Sequence, residues 1–97
     1  MTVQLRTYTI KEGLLDEWVQ RWRDLIVPLR LEFGFQLHGA WADRERSQFT
    51  WVLSYDGPEG FAKRNEQYWA SPKRAAMGID PADYLTARDV HEVESVL

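Results

Sequence analysis

The sequence predicts an α+β fold in which helices cover one face of a four-stranded antiparallel sheet. Three observations support this prediction. Strand-like alternation and helix-like periodicity follow each other in the order βαββαβ, a short polar loop joins two of the strands, and Gly or Pro signals mark the helix ends. A chain of 97 residues has the length of one small domain, which we expect to span residues 1–97.

The first strand is predicted over residues 3–10, where VQLRTYTI alternates and is rich in β-branched and aromatic residues. Bulky groups occupy both faces of this strand. We therefore expect it to be covered on both sides.

The first helix follows Gly13, because apolar residues then recur at steps of three and four. Pro28 lies inside this pattern and removes one backbone hydrogen bond, so we expect a bend near it. Gly34 is the predicted end of the helix. The apolar stripe consists of Leu15, Trp18, Trp22, Leu25, Ile26, Leu29 and Phe33.

A β-hairpin is predicted next. Residues 35–43 and 47–55 are two alternating runs, joined by the polar segment Arg44-Glu45-Arg46. Whether the loop has three or four residues decides which face His38 occupies, because a one-residue slip reverses every side chain.

Helix start signals recur in the second half of the chain. The segment Asp56-Gly57-Pro58 predicts a helix over about residues 58–70, and Ser71-Pro72 and Asp80-Pro81 predict two short helical turns separated by Gly78. The tail ARDVHEVESVL fits both a helical and a strand period. We interpret it as a strand, because three strands and two helices imply a missing fourth.

Large aromatic residues are unusually frequent. The chain has five Trp, four Tyr and four Phe, which is more than one thin core readily absorbs. A sheet with helices on one face also leaves its other face uncovered. We therefore expect a homodimer that pairs sheet against sheet, and a small aromatic molecule as a second source of burial.

Composition also excludes several classes of partner and site. A net charge of −3 with scattered Lys and Arg offers no basic stripe for nucleic acid. The absence of cysteine removes disulfides and thiol chemistry, and two histidines without a third ligand at fixed spacing do not predict a metal site. No run is long and apolar enough for a membrane span and no signal peptide is evident, so we predict a cytoplasmic protein.

The segments LRTYTIKEG, FGFQLHGAW and WVLSYDGPEGFAKRNEQYWASPKRAAM carry a family resemblance. Together they resemble the NIPSNAP family of the dimeric α/β barrel superfamily, over roughly residues 4–81. The resemblance implies a ferredoxin-like subunit that dimerises through its sheet and holds a cavity between sheet and helices. The superfamily includes quinol-type and heme-degrading monooxygenases, polyketide cyclases and muconolactone isomerases, so the resemblance implies a scaffold more directly than a chemistry.

Heme chemistry is not implied for this chain. The heme-degrading branch uses an Asn on the first strand, a Trp ending the third and a His on the second helix. The corresponding positions here hold Arg6, Tyr55 and Asn65, and Asn65 cannot ligate iron as histidine does. We therefore predict no bound cofactor.

The same resemblance indicates which residues face the cavity. Besides Arg6 and Tyr55, it places there Tyr8 of strand one, Trp51 and Leu53 of strand three, and Asn65 with Tyr68 or Trp69 of helix two. A mostly apolar pocket with a few polar groups is typical of small-molecule sites. The predicted ligand-binding residues are Tyr8, Trp51, Asn65, Tyr68 and Trp69.

His38, Arg6 and Tyr55 are the candidate catalytic residues. His38 could shuttle a proton, or could be an ordinary histidine at the sheet surface or dimer seam. A buried Arg6 needs an anionic partner, which could be a protein carboxylate or a ligand. Tyr55 could donate to a substrate oxygen, or only satisfy a backbone group.

Two functions remain open from the sequence. The first is a cofactor-independent oxygenase, cyclase or isomerase acting on a small aromatic or polyketide-like molecule. The second is a non-catalytic module for ligand binding or assembly. A completely filled interior between sheet and helices would favour assembly alone.

Overall fold

A four-stranded antiparallel sheet with the strand order β2-β3-β1-β4 forms the base of the fold in the computed structural model, which describes residues 2–97. The strands are Thr2–Ile10 (β1), Gln36–Asp43 (β2), Gln48–Tyr55 (β3) and Leu85–Val93 (β4). The predicted α+β fold of order βαββαβ is confirmed, including the fourth strand that the tail sequence left ambiguous.

Along the chain, the helices form two groups, one between β1 and β2 and the other between β3 and β4. The first group is Leu15–Arg21 (α1), a π-helical segment Trp22–Ile26 and Val27–Glu32 (α2), which follow one another without a break. The second group is Phe61–Ala70 (α3) and Pro72–Ala76 (α4), followed by a 3₁₀ turn at Pro81–Asp83. Within residues 2–97, no helix has the length and apolar character needed to cross a membrane.

Pro28 is accommodated by the π-helical segment that precedes it. Proline has no N–H to donate, and at this point the Val27 N–H bonds to the carbonyl of Trp22, five residues back. The predicted disturbance at Pro28 thus takes the form of a wider helical turn. After that turn the buried residues of α2 are Leu29 and Arg30.

The second helical group begins later than predicted. Residues 58–60 are not helical, and α3 starts at Phe61 after Gly60, whose φ of 84° is a left-handed conformation that glycine adopts readily. The start signals at Ser71 and Asp80 are confirmed as caps. The Lys73 N–H donates to Ser71 Oγ at 3.1 Å, and the Ala82 N–H donates to Asp80 Oδ1 at 3.0 Å.

His38 lies at a β-bulge in the hairpin. Leu37 pairs with Leu53 and Gly39 pairs with Val52, so His38 is an extra residue without a partner on β3. Its Nε2 lies 2.7 Å from the hydroxyl of Ser54. Ser54 is on the sheet face that the helices do not cover, which settles the face that His38 occupies.

Aromatic rings fill most of the space between sheet and helices. Trp51 of β3 packs edge-on against Trp22 and Tyr8, with ring centroids 5.5 and 6.3 Å apart. Each such pair contributes about 0.5–1.5 kcal/mol beyond its burial. The core comprises Tyr8, Ile10, Leu15, Trp18, Ile26, Leu29, Phe35, Phe49, Trp51, Leu53, Phe61, Tyr68, Ile79 and Tyr84.

The other face of the sheet carries apolar side chains without cover from the helices. Trp41 is 60% exposed there, and its ring lies on Gly39, where an added Cβ would be 2.5 Å from the Trp41 ring. Val93 on β4 is also exposed. We call this surface, with Val3, Leu5, Trp41, Val52 and Val93, the outer face.

Candidate functional site

A small cavity remains between the inner face of the sheet and the helices. β1 contributes Arg6 and Tyr8 to its walls, and α3 contributes Tyr68 and Trp69. Its volume is about 20 Å³, which is room for one water-sized group. The interior is therefore closely packed but not completely filled.

A larger cleft continues from this cavity to the surface. Its volume is about 620 Å³, and it lies between the exposed strand β4, through Arg88 and Val90, and the helical side, through Asn65 and Trp69. Arg6, Trp69, Pro81 and Arg88 line both spaces, so the small cavity forms the inner end of the cleft.

Arg6 is held in place by its neighbours on the same face of β1. Its side chain is only 6% exposed. Nε and Nη2 donate to Gln4 Oε1 at 3.1 and 2.9 Å, and Nη1 donates to the Tyr8 hydroxyl at 3.3 Å. Because these acceptors are neutral, they orient the Arg6 charge without neutralising it.

Arg30 enters the cavity from α2 and is 1% exposed. Its Nη1 donates to Asn65 Oδ1 at 2.9 Å, while its Nε has no hydrogen-bond partner. The guanidinium carbon lies 3.7 Å from the centroid of the Tyr68 ring and 4.7 Å from that of Phe35. Arg30 is thus held by aromatic faces and one amide.

Arg74 of α4 completes the set of buried arginines. It is 4% exposed, its Nη1 donates to the Ile79 carbonyl at 3.0 Å, and its Nε has no partner. The guanidinium carbon lies 4.3 Å from the centroid of the Trp69 ring. Three buried arginines, Arg6, Arg30 and Arg74, therefore line one cavity, together with the more exposed Arg88.

No protein carboxylate neutralises these three charges. Among residues 2–97, the ion pairs lie on exposed side chains and none includes Arg6, Arg30 or Arg74. Burial and the charge of Arg6 lower the pKa of Arg30 to about 10, which still leaves it charged at neutral pH. A desolvated cation–π contact stabilises a buried cation by about 2 kcal/mol. Burying an ion costs several kcal/mol. The aromatic rings around Arg30 offset part of this cost but carry no net negative charge, so the cavity remains positively charged.

Tyr68 adds a neutral hydroxyl beside these cations. Burial raises the pKa of Tyr68, and the nearby Arg30 and Arg74 oppose that change without reversing it. A phenol with a raised pKa stays protonated at neutral pH and can donate a hydrogen bond. The inner end of the cleft thus offers donors and positive charge inside an aromatic wall.

The comparison with known families decides the identity of the scaffold. The family model for NIPSNAP matches residues 3–91, which is most of the chain. This chain belongs to the NIPSNAP family. Among curated proteins, none matches the sequence.

Solved NIPSNAP structures have the same fold. An uncharacterised NIPSNAP domain protein from Burkholderia xenovorans superimposes with a TM-score of 0.84 at 21% identity, over 99% of this chain and 95% of the other. A NIPSNAP family protein from Agrobacterium tumefaciens gives 0.83 at 16% identity, over 96% and 90% of the two chains. The predicted family and its ferredoxin-like fold are thereby confirmed.

The fold is also similar to that of a candidate antibiotic biosynthesis monooxygenase from Bacteroides thetaiotaomicron. The two chains superimpose with a TM-score of 0.72 at 19% identity, over 99% of this chain and 90% of the other. At such low identity, the similarity concerns the backbone fold of the two proteins and carries no information about their reactions.

The structure brings most of the predicted site residues of this NIPSNAP protein together. Arg6, Tyr8, Trp51, Tyr68 and Trp69 all line the small cavity. Asn65 lines the adjoining cleft and accepts the hydrogen bond from Arg30.

His38 and Tyr55 lie outside this group. The bulge places His38 on the outer face, beside Val52 in a shallow apolar groove. Tyr55 is at the end of β3, where its ring packs on Phe35 with centroids 5.3 Å apart and its hydroxyl donates to Glu59. Neither side chain lines the cavity or the cleft. His38 is on the opposite face of the sheet, and Tyr55 packs on Phe35 at the end of β3.

Sequence reasoning missed Arg30, Arg74 and Arg88. In a straight helix Arg30 would lie at the edge of the apolar stripe of residues 15–33, and the π-helical turn before Pro28 changes which residues of α2 face the core. Arg74 sits in a five-residue helix that the sequence presents as a polar surface turn. The excess of aromatic residues could have indicated buried arginines, because guanidinium groups stack on aromatic rings.

Within residues 2–97, no three His, Asp or Glu side chains are grouped so that they could hold a metal ion. The donors that line the cavity are instead guanidinium, indole and phenol groups. This set suits an organic ligand that presents acceptors.

Proposed function

We propose that this protein binds a small aromatic or polyketide-like molecule in the cleft and converts it, as a cofactor-independent oxygenase, cyclase or isomerase. The observation that supports this most directly is the continuity of the cleft with a buried, donor-rich inner end. Small-molecule sites typically have volumes of about 300–1,000 Å³, and the cleft volume of about 620 Å³ lies in that range.

The cleft is lined mostly by polar and charged residues, and Trp69, Pro81 and Val90 are the apolar surfaces that can hold a planar ring. Trp69 is 41% exposed at the cleft, and the guanidinium group of Arg74 stacks on its ring. Val90 of β4 offers an apolar surface on the opposite wall. An aromatic ring can stack on the exposed part of Trp69, and removing both apolar surfaces from water favours binding.

The chemistry that this geometry supports is stabilisation of a substrate oxyanion. Isomerisation, aldol-type cyclisation and oxygenation by O₂ of an electron-rich ring can each proceed through an enolate or phenolate, whose proton would pass to water in the open cleft. Fixed donors such as Arg6 Nη1 and the Tyr68 hydroxyl would lower the free energy of that anion. Of the three catalytic candidates from the sequence, Arg6 is the one that we keep in this role.

We also propose that a second copy of the chain covers the outer face. Exposed Val93 lines a groove of about 420 Å³ together with Val3, Val52 and His38, and exposed Trp41 lies on the same face of the sheet. In an isologous dimer, the outer faces of the two subunits would pack against each other and bury this surface. His38 would then belong to the dimer seam, which is the alternative role that its sequence context left open.

Ligand binding without turnover is the second candidate function. The residues that line the inner cavity include no His, Asp or Glu, which are the usual general bases. Such a site could hold an acceptor-bearing ligand and release it unchanged.

Turnover and binding can be separated by one screen. The full chain is incubated with a panel of aromatic acids, hydroquinones and polyketide-like phenols, and binding is followed by tryptophan fluorescence and products by mass spectrometry. Trp69→Ala should weaken binding at least about tenfold, whereas Trp41→Ala on the outer face should not. Binding with product supports the enzyme, and binding without product supports the second candidate. If no compound binds, both are wrong.

A further inference from the structure

We infer that the ligand of this cleft is an aromatic carboxylic acid, held as its carboxylate by Arg30 and Arg74 at the inner end. The inference rests on the proposed small-molecule function and adds the charge of the ligand to it. It assigns the two arginines that sequence reasoning did not identify.

Unsatisfied donors around the cavity support this assignment. Within residues 2–97, the buried side-chain N and O atoms that lack a hydrogen-bond partner are all N–H donors, and no acceptor is among them. Buried polar groups in native proteins are nearly always paired, so a surplus of one kind indicates the complementary kind in a ligand. Four of the five donors belong to residues that line the cavity, namely Trp18 Nε1, Trp51 Nε1, Arg30 Nε and Arg74 Nε.

The distribution of charge points the same way. The chain as a whole carries a net charge of −3, yet its buried charged groups are arginines. Asp80 is the acid that lines the cleft, and its carboxylate already caps the following turn by accepting from the Ala82 N–H. Arg88 adds a further cation to both the cleft and the cavity. An anion that enters the cleft therefore moves toward increasing positive charge.

The size of the inner cavity favours a carboxylate over a phosphate. About 20 Å³ holds one water-sized group, so one carboxylate oxygen fits inside while the carbon and the second oxygen stay at the mouth of the cavity, where a tetrahedral phosphate would place bulkier substituents. Guanidinium groups match the planar carboxylate in geometry and charge. The aromatic body of the ligand would remain in the cleft, beside Trp69.

The deciding comparison is between a charged ligand and its neutral isostere. Isothermal titration of the full chain at pH 7 and fixed ionic strength would use 2-naphthoate and 2-naphthamide. We expect 2-naphthoate to bind at least about tenfold more tightly, because it pairs with two buried cations. Equal affinities would overturn the inference while leaving the aromatic pocket intact. If neutral and acidic aromatics both fail to bind, the proposed function itself is wrong.

A matched pair of variants locates the anion. Arg30→Met should reduce the affinity for 2-naphthoate at least about tenfold and leave that for 2-naphthamide unchanged. Arg64→Met is the control, because Arg64 also stacks on an aromatic ring, 4.6 Å from the Phe33 centroid, but lines neither the cavity nor the cleft. An equal loss in both variants would overturn the assignment. Tighter binding of inorganic phosphate than of 2-naphthoate would overturn the choice of carboxylate.

Discussion

The guanidinium carbon of Arg30 lies 3.7 Å from the centroid of the Tyr68 ring, which joins α2 to α3 at the inner end of the cleft. Arg30 is buried and charged, and among residues 2–97 no carboxylate pairs with it. Aromatic rings and one amide oxygen stabilise this charge in the folded protein. A bound anion would form an ion pair with it.

The first prediction concerns the energetic cost of Arg30 in the free protein. Its lowered pKa means that the folded state disfavours the charged form, so an apolar residue of similar length should stabilise the fold. We expect Arg30→Met to raise the free energy of unfolding by about 1 kcal/mol or more in urea titrations. The control Arg64→Met should lower it slightly. A loss of stability in Arg30→Met comparable to that of a core truncation would contradict this reading.

Asn65→Asp should supply an internal anion. The Asn65 amide oxygen accepts from Arg30 Nη1 at 2.9 Å, and a carboxylate at that position would form a charge-assisted hydrogen bond. We expect a gain of about 1–2 kcal/mol in unfolding free energy, together with at least a tenfold loss of 2-naphthoate affinity, since the carboxylate competes for Arg30. Asn65→Ala, which removes the acceptor, should change stability in the opposite direction. Undiminished naphthoate binding by Asn65→Asp would be inconsistent with an anion site at Arg30.

Tyr55 and Glu59 form a hydrogen bond whose effect depends on pH. Hydrogen bonding to the Glu59 carboxylate raises the pKa of Tyr55, and the same bond lowers the pKa of Glu59. The stabilisation is therefore fully present between the ordinary values of 4.5 and 10.0. It is lost as pH falls through the lowered Glu59 pKa or rises through the raised Tyr55 pKa.

The variant Glu59→Gln tests this bond. Absorbance titration of tyrosinate, with Tyr55→Phe to assign the signal, should show the pKa of Tyr55 returning toward its ordinary value. The stability difference between the natural protein and Glu59→Gln should be largest near neutral pH. A Tyr55 titration unaffected by the substitution would show that the bond is not formed in solution.

The outer face provides a test of the dimer. Val52 is half-buried at its centre, and a glutamate there would place two like charges across a two-fold seam. We expect Val52→Glu to give a monomer in light scattering at micromolar concentration. Leu31→Glu, on an exposed helical position, should leave the dimer unchanged. A monomeric natural protein at that concentration would refute the dimer directly.

The fold was predictable because its signals are local. Alternation defined β1 and β3, and the caps at Ser71 and Asp80 act through neighbouring residues. The position of His38 was not predictable from alternation, because a bulge inserts one residue and breaks the period. A four-residue loop, residues 44–47, closes the hairpin.

The candidate site was predictable in part for a similar reason. Tyr8 and Trp51 follow strand parity and were placed correctly on the helix side of the sheet. Arg30 escaped notice because its burial depends on a wider helical turn that the sequence signals only through Pro28. The charge of the cavity comes from arginines of four separate elements, β1, α2, α4 and β4, and no single segment reveals it.

The most direct test of an anion site is to observe the Nε–H groups of Arg30 and Arg74 by NMR while 2-naphthoate is added. We predict that these two resonances shift together and saturate, that the Arg64 Nε–H resonance stays in place, and that 2-naphthamide leaves all three unchanged. Naphthoate shifts confined to Arg64 and other arginines outside the cavity, with Arg30 and Arg74 unmoved at saturation, would contradict the claim that the cleft ends in a carboxylate site.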